Sequence, residues 1–183
     1  MINVIFDELH SPSWTTSTRL AKQISDNTPE NYFYGHLADL INLFSGYTAR
    51  SENVWDKCLG GDLLVIAMPT DPSIEPSLGG QAQFTAVQIA DIVKFVKNGG
   101  SLFVVGEYNI NEWGSNLNEV CTPFGITMSN DVAMERSETY DFTYVRHIIG
   151  QCAADHQITR GVDKIRAPRK MSRSSPVPVE SPR

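Results

Sequence analysis

Short apolar runs, separated by segments of helical periodicity, follow one another along most of the chain. Residues 2–6 (INVIF), 63–68 (LLVIAM) and 101–105 (SLFVV) are the clearest runs, and a further strand is expected over 142–149. A run that is apolar on both faces is typical of a central strand in a parallel sheet with helices on each side. The pattern therefore predicts an α/β protein whose central strands run parallel.

Apolar positions at helical spacing lie between and after these runs. They predict one helix over about 33–44, a second that begins at Thr85, and a third over about 116–124. Gln88, three residues after Thr85, completes a capping box, which defines the start of the second helix. The strand, helix and strand between 63 and 105 form a βαβ unit, for which a right-handed crossover is expected.

The length and composition indicate one globular domain. The chain has 183 residues, of which 41% are hydrophobic and 20% charged, enough for a substantial core. No apolar run approaches the roughly 18–20 residues that a membrane helix needs, and Asp7 and Glu8 lie where a secretory signal would be basic and then apolar. We therefore expect a soluble, cytoplasmic protein with a single α/β domain over 1–166.

The net charge of −6 is unevenly distributed. Residues 1–165 carry 10 basic and 20 acidic side chains, a charge of −10, whereas 166–183 carry five and one, a charge of +4. An acidic body argues against nucleic acid as a partner, because phosphate binding needs a basic face. Segment 167–183 is rich in Pro, Ser and Arg and has little that could enter a core, which predicts a tail that is disordered or draped over the surface.

Four segments carry a resemblance to a known family. In chain order they are DLLVIAMP at 62–69, IVKFVKNGGSLFVVGEYN at 92–109, NLNEVCTPFGI at 116–126 and DHQITRGVDKI at 155–165. Their order and spacing resemble the class I glutamine amidotransferase-like superfamily, in particular its non-glutaminase branches, the GIFT-type domains and related stand-alone bacterial proteins. The resemblance spans roughly 2–165 and implies a three-layer, doubly wound and mostly parallel sheet of flavodoxin-like type.

The resemblance also implies where an active enzyme of this superfamily would carry its nucleophile. Enzymatic members place a cysteine on a sharp strand-to-helix turn, in a pattern near G-x-C-x-G, and pair it with a later His-x-Glu. The corresponding turn here is 105–109 (VGEYN), so Glu107 stands about where the cysteine would be, and no His-x-Glu follows. Since glutamine hydrolysis needs a thiolate and an imidazole base, we expect no glutaminase activity. Cys58, Cys121 and Cys152 are expected to be small buried hydrophobes rather than reactive thiols.

Residues that directly follow parallel strands meet at one edge of the sheet. We predict that Glu107 is the general base or nucleophile at this edge and that Glu8 and His10 assist proton transfer. Carboxylates and an imidazole in one cleft can serve as acid and base, because their surroundings separate their pKa values. The expected substrate-binding residues are Asp7, Thr70, Asn109 and Trp113.

Two functions of different classes fit this pattern. The first is a hydrolase or lyase that acts on a small polar metabolite without a cofactor, since neither a nucleotide-binding glycine motif nor a metal-ligand spacing is present. The second is a non-catalytic ligand-binding or assembly domain, in which the basic tail of one chain crosses the acidic surface of another in a homo-oligomer. For His147, Asp155 and His156 a structural role and a role in the site both remain open.

Overall fold

The computed structural model describes most of the first 130 residues and three strands beyond them. The described ranges are 1–27, 33–74, 80–106 and 110–130, with the backbone of 135–137, 140–147 and 165–167. The chain forms two compact units, Met1–Asp131 and Val132–Arg183. None of the helices in the described ranges has the length and apolar character that a membrane crossing requires.

A four-stranded parallel sheet forms the centre of the first unit. Its strands are β1 (Ile2–Asp7), β2 (Tyr47–Glu52), β3 (Leu63–Ala67) and β4 (Ser101–Val105), in the spatial order β2-β1-β3-β4. Every neighbouring pair is parallel, and β1 pairs with β2 along its whole length. The expectation of an α/β protein with parallel central strands is therefore confirmed.

Five α-helices lie in the described part of the first unit. They are α1 (Thr18–Ile24), α2 (Gly35–Asn42), α3 (Trp55–Cys58), α4 (Ala86–Lys97) and α5 (Leu117–Cys121). The start of α4 is the predicted one: the Thr85 hydroxyl accepts the N–H of Gln88, and the Gln88 side chain accepts the N–H of Thr85. Two donors at the helix start are thereby satisfied within the sequence itself.

The other predicted helices are present but shorter. The helix expected over 33–44 extends from Gly35 to Asn42. The one expected over 116–124 ends as an α-helix at Cys121 and continues as the 3-10 turn Thr122–Phe124. Pro123 has no N–H to donate to the preceding turn, which explains the early change of helix type.

Helices cover both faces of the sheet. Leu64 and Val65 point to opposite faces of β3, because side chains alternate along a strand. Leu64 belongs to a buried cluster with Ile92 of α4 and Leu117 of α5. Val65 belongs to a second cluster on the other face, which includes Ala38 of α2. The core therefore lies in two layers, one on each side of the strands.

Strand β2 lies at the outer end of the described sheet and was not predicted. Its sequence, YTARSE, has no apolar face that would indicate a strand. On its outward side the amide of Asn42 accepts the N–H of Ala49 at 2.7 Å and donates to the Ala49 carbonyl at 3.2 Å. β2 is therefore held in strand conformation by pairing with β1 on one side and by the side-chain amide of Asn42 on the other.

The second unit contains three antiparallel strands in its described part. They are β5 (Glu135–Ser137), β6 (Tyr140–His147) and β7 (Ile165–Ala167), in the order β5-β6-β7. Both pairings are antiparallel. The strand expected over 142–149 corresponds to β6, which begins and ends two residues earlier.

Candidate functional site

The carboxyl ends of β1, β3 and β4 lie at the same edge of the sheet, since these strands are parallel neighbours. Asp7 ends β1, and Thr70 follows β3 by three residues. Glu107 and Asn109, predicted from the sequence to lie just after β4, are outside the described residues. We use the name carboxyl edge for segments 7–17, 68–74, 80–84 and 110–116.

Asp7 and His10 form a buried pair at this edge. Oδ1 of Asp7 accepts hydrogen bonds from the N–H groups of Leu9 at 2.9 Å and His10 at 3.1 Å, so the chain turns sharply after β1. This turn brings the His10 ring back to the carboxylate, where Nδ1 lies 2.7 Å from Oδ2. Both side chains have 0% exposure. A buried pair of this kind persists only where its hydrogen bonds are well made.

Two aromatic side chains hold the His10 ring in place. The ring stacks on Phe84, with centroids 3.8 Å apart and planes at 18°, and meets Trp55 edge-on at 5.5 Å. Trp55 is fixed in turn, because its Nε1 donates to Asp91 at 3.0 Å. The side chain of Asn116 bonds both the N–H and the carbonyl of Phe84, at 2.7 and 2.9 Å. The imidazole orientation is therefore set by three separate segments of the chain.

One nitrogen of the His10 ring has no partner among the described residues. Nε2 is buried and makes no hydrogen bond in the part of the chain that the structure describes, and the same holds for the hydroxyls of Ser11 and Ser115. Buried polar atoms in proteins are nearly always bonded, so each such atom calls for an explanation. Within the described ranges, the Asp7–His10 pair thus has one hydrogen-bonding position without a partner, at Nε2.

Glu8, predicted to assist proton transfer, lies at the same edge. Its Oε1 accepts the hydroxyl of Thr15 and, at 3.0 Å, the N–H of Thr16. The Thr16 hydroxyl also contacts that of Ser51 in β2. Glu8 therefore ties the segment after the turn to the sheet, and its role in proton transfer stays a prediction.

Thr70, a predicted substrate-binding residue, stabilises a strained turn after β3. Met68 has a φ of +44°, in the left-handed region that a residue with a side chain occupies at a cost of about 1–3 kcal/mol. Its N–H donates to the carbonyl of Val105, and its carbonyl accepts the Thr70 hydroxyl, both at 2.9 Å. The Thr70 hydroxyl is thus engaged by the backbone of this turn.

Trp113, a further predicted substrate-binding residue, lies beside the same turn. Its carbonyl accepts the N–H of Asp71 at 2.8 Å. The next residue, Gly114, has a φ of +71°, and a Cβ there would lie 2.7 Å from the Cβ of Asp71. The hydroxyl and N–H of Ser73 hold the pKa of the Asp71 carboxyl below its ordinary value. The segments after β3 and β4 therefore meet closely at this edge.

Cys58 extends the buried network in a way that the sequence did not indicate. Its Sγ lies 3.9 Å from Oδ1 of Asp7 and 3.5 Å from the carbonyl of Glu52. Burial, and then the charges of Asp7 and Glu52, raise the pKa of the Cys58 thiol to about 12. The thiol is therefore protonated at neutral pH and is no nucleophile. Cys58 and Cys121 are both buried, as expected, and Cys152 lies outside the described residues.

The residues that frame His10 were missed at the sequence level. One signal for Phe84 is its place immediately before the capping residue Thr85, because an apolar residue there often packs against the fourth helical residue, here Ile89. Phe84 is buried in the same cluster against which Ile89 packs. No comparable local signal exists for Trp55 and Cys58, whose helix is only one turn long.

The opposite edge of the sheet carries a cavity of about 490 Å³. Its lining residues are Leu59, Gly61, Asp62, Asp91, Lys94, Phe95, Asn98, Gly99 and Gly100. Several of them directly precede β3 and β4, and we call this place the amino edge. Asp62 and Lys94 are exposed, and Asp62 accepts hydrogen bonds from the backbone and side-chain nitrogens of Asn3 at 2.7 and 3.2 Å.

Comparison with known proteins adds no relative: no family model, curated protein or solved structure matches the chain. The superfamily resemblance therefore stays a prediction. The side chain of His147, and Asp155 and His156 entirely, lie outside the described residues. Among the described residues, Asp7 and His10 are in direct contact, whereas Glu8, Thr70 and Trp113 lie in segments that follow the carboxyl ends of the parallel strands and bond other residues.

Proposed function

We propose that the carboxyl edge is a site for a small polar metabolite and that His10 transfers a proton there. The observation that carries this proposal is the buried Asp7–His10 pair, with Nδ1 bonded at 2.7 Å and Nε2 without a partner in the described part of the chain. An imidazole held by a carboxylate at one nitrogen is the arrangement by which many enzymes orient a general base. Asp7, which the sequence analysis assigned to substrate binding, is proposed instead to position His10, because both of its oxygens are bonded within the protein.

The reaction class that fits is hydrolysis or elimination without a cofactor. Both need a proton acceptor and a proton donor near the substrate, and neither needs a hydride or electron carrier. His10 supplies one of these groups. Glu107, assigned from the sequence as base or nucleophile, is the proposed second group, together with Asn109 and Trp113 as substrate-binding residues. A non-catalytic ligand-binding domain is the alternative that uses the same edge.

The proposed fold family is the class I glutamine amidotransferase-like superfamily, in a branch without glutaminase activity. The strand order β2-β1-β3-β4 supports this, because flavodoxin-like sheets begin with the same order. Ligands of such sheets bind beyond the carboxyl ends of the strands, where Asp7 and His10 lie. We further propose a cytoplasmic location and assembly through the basic segment 167–183.

A ligand screen on the full chain tests the proposed function. Metabolite pools are added to the wild type and to His10→Gln, Glu107→Gln and the control His36→Gln, which changes an exposed imidazole on α2. A ligand at about 100 times its Kd stabilises the folded state by about 2.7 kcal/mol. We expect a compound that raises the thermal midpoint of the wild type and of His36→Gln, but not of His10→Gln.

The outcomes of this screen separate the two functions. Consumption of the stabilising compound by the wild type, lost in His10→Gln and Glu107→Gln, supports the enzyme. Binding without consumption supports the ligand-binding domain. If no compound distinguishes His10→Gln from His36→Gln, the assignment of His10 to a site has no basis.

A further inference from the structure

The hydrogen bonds of Asp7 determine which nitrogen of His10 carries the proton. An ionised carboxylate has no proton and can only accept. Oδ1 already faces the N–H groups of Leu9 and His10 and the thiol of Cys58, while Oδ2 faces Nδ1 of the ring at 2.7 Å. The hydrogen in this last contact must come from the ring. In the neutral imidazole, Nδ1 is then the donor and Nε2 carries a lone pair.

We propose that His10 is held in the tautomer with its proton on Nδ1, and that its Nε2 receives a hydrogen-bond-donating group of the ligand, such as a hydroxyl or an ammonium. The ligand half of this inference rests on the proposed function, whereas the tautomer does not. A group that only accepts, such as a carboxylate, would place its lone pairs against that of Nε2.

The charged groups around the His10 ring also favour a ligand group that donates a hydrogen bond. Two acidic side chains are linked to the ring by contacts among the described residues: Asp7 of β1, which bonds Nδ1, and Asp91 of α4, which bonds the Trp55 ring that meets His10. The charge of Glu52 in β2 acts on the Cys58 thiol, which lies beside Asp7. Glu52 also pairs with Arg50 at 3.0 Å, and the thiol of Cys58 in α3 is neutral. A second anion beside this group would be repelled, while a neutral or cationic donor would not.

One face of the His10 ring and one of its two nitrogens are covered by described side chains. Phe84 covers one face at a centroid distance of 3.8 Å, and Trp55 meets the ring edge-on. Nδ1 is occupied by Asp7. Of the two ring nitrogens, Nε2 is therefore the one left to bond a ligand, so the character of that nitrogen decides which group binds.

Asp7→Asn is the variant expected to move the proton of the His10 ring from Nδ1 to Nε2. The side-chain carbonyl of the introduced asparagine can keep the bonds to the N–H groups of Leu9 and His10 that form the turn. Its NH₂ group then replaces Oδ2 and donates to Nδ1, which drives the proton to Nε2. The full chain is labelled with ¹⁵N-histidine, and long-range ¹H–¹⁵N spectra are recorded at about pH 8, above the ordinary pKa of imidazole.

We expect a protonated Nδ1 in the wild type and a protonated Nε2 in Asp7→Asn. His10→Gln assigns the signals, and the wild-type spectrum alone decides the tautomer should Asp7→Asn fail to fold. A proton on Nε2 of the wild type overturns the inference, as does a folded Asp7→Asn with an unchanged tautomer. Neither result depends on whether any metabolite binds or reacts.

Small probes test the ligand half in the same spectra. Glycerol and ethanolamine donate hydrogen bonds, whereas acetate and sulfate only accept, and all four are added at equal concentration. We expect the Nε2 signal of the wild type to move with the two donors only, and that of Asp7→Asn to move with the two acceptors. Movement of the wild-type signal with acetate or sulfate, or with none of the probes, contradicts the ligand half and leaves the tautomer result standing.

Discussion

The two edges of the same sheet differ in whether their charged side chains are buried or exposed. At the carboxyl edge Asp7 is buried and both of its oxygens are bonded, whereas at the amino edge Asp62 and Lys94 are exposed beside a cavity of about 490 Å³. Exposed charges are hydrated and screened, so an open groove of this kind forms with little effect on stability. A buried carboxylate and imidazole cost several kcal/mol unless they are paired. Burial, rather than the size of an opening, identifies the candidate site.

Removing a carboxylate from each edge gives the largest expected contrast. Asp7→Ala leaves the buried His10 ring and the N–H groups of Leu9 and His10 without their acceptor, and we expect a loss of about 3–5 kcal/mol in the free energy of unfolding. Asp62→Ala removes exposed hydrogen bonds from Asn3, worth about 1 kcal/mol. Urea unfolding of both variants measures the difference, and equal losses would remove the distinction between the edges.

A pair of glycine substitutions compares the backbone of the two edges. Gly114 has a φ of +71° and Asp71 directly beside it, whereas Gly99 at the amino edge has a φ of +99° and nothing within 4 Å of an added Cβ. Gly99→Ala should cost about 1–2 kcal/mol, the cost of a left-handed alanine. Gly114→Ala adds a clash worth about 1–3 kcal/mol, so its loss should be clearly larger. Thermal unfolding of the two variants decides whether the carboxyl edge is the more tightly packed.

The Cys58 thiol gives the carboxyl edge a pH dependence of its own. The pKa of the Cys58 thiol is about 12 in the folded protein, against an ordinary value of 9.0. Because the folded state holds this proton more tightly than the unfolded state, the stabilisation of the fold by the thiol is complete below pH 9 and is lost as the pH rises towards 12. By pH 10 the free energy of unfolding should fall by about 1 kcal/mol on this account. Urea unfolding between pH 8 and pH 10 shows this loss in the wild type. In Cys58→Ser, which lacks the thiol, the loss should shrink, and an unchanged loss would assign it to other groups.

The smallest effect is expected for Lys94 at the amino edge. Its ammonium group makes no ion pair in the described part of the chain, so Lys94→Gln should change the free energy of unfolding by less than about 0.5 kcal/mol. The same variant should leave the His10 tautomer unchanged. A shift in that tautomer would mean that the two edges are coupled through the sheet.

The buried central strands of the sheet were easier to predict from the sequence than the outer strand β2. Residues 63–67 form a strand because a continuous apolar run is buried on both faces, and Thr85 with Gln88 fixes a helix start locally. Strand β2 could not be recognised, because its polar residues become a strand only by pairing with β1, which is distant in sequence.

In the candidate site too, contacts between residues close in sequence were easier to predict than contacts between distant segments. Asp7 and His10 were predicted as site residues because they follow a strand, and their contact is local, over three residues. The stacking of Phe84 on His10 and the approach of Cys58 to Asp7 join segments that the sequence leaves far apart. Thr70 follows β3 at the carboxyl edge, and its hydroxyl bonds the carbonyl of Met68, whose positive φ no sequence pattern predicted.

The amide of Asn42 has a consequence for how this chain meets other chains. An outermost strand presents unpaired N–H and carbonyl groups, onto which a strand from another molecule can add. In β2 the outward N–H and carbonyl of Ala49 are already occupied by this amide, at 2.7 and 3.2 Å. The Asn42 side chain thus takes the place of one residue of a neighbouring strand, and at Ala49 the backbone groups to which another chain's strand would bond are already occupied.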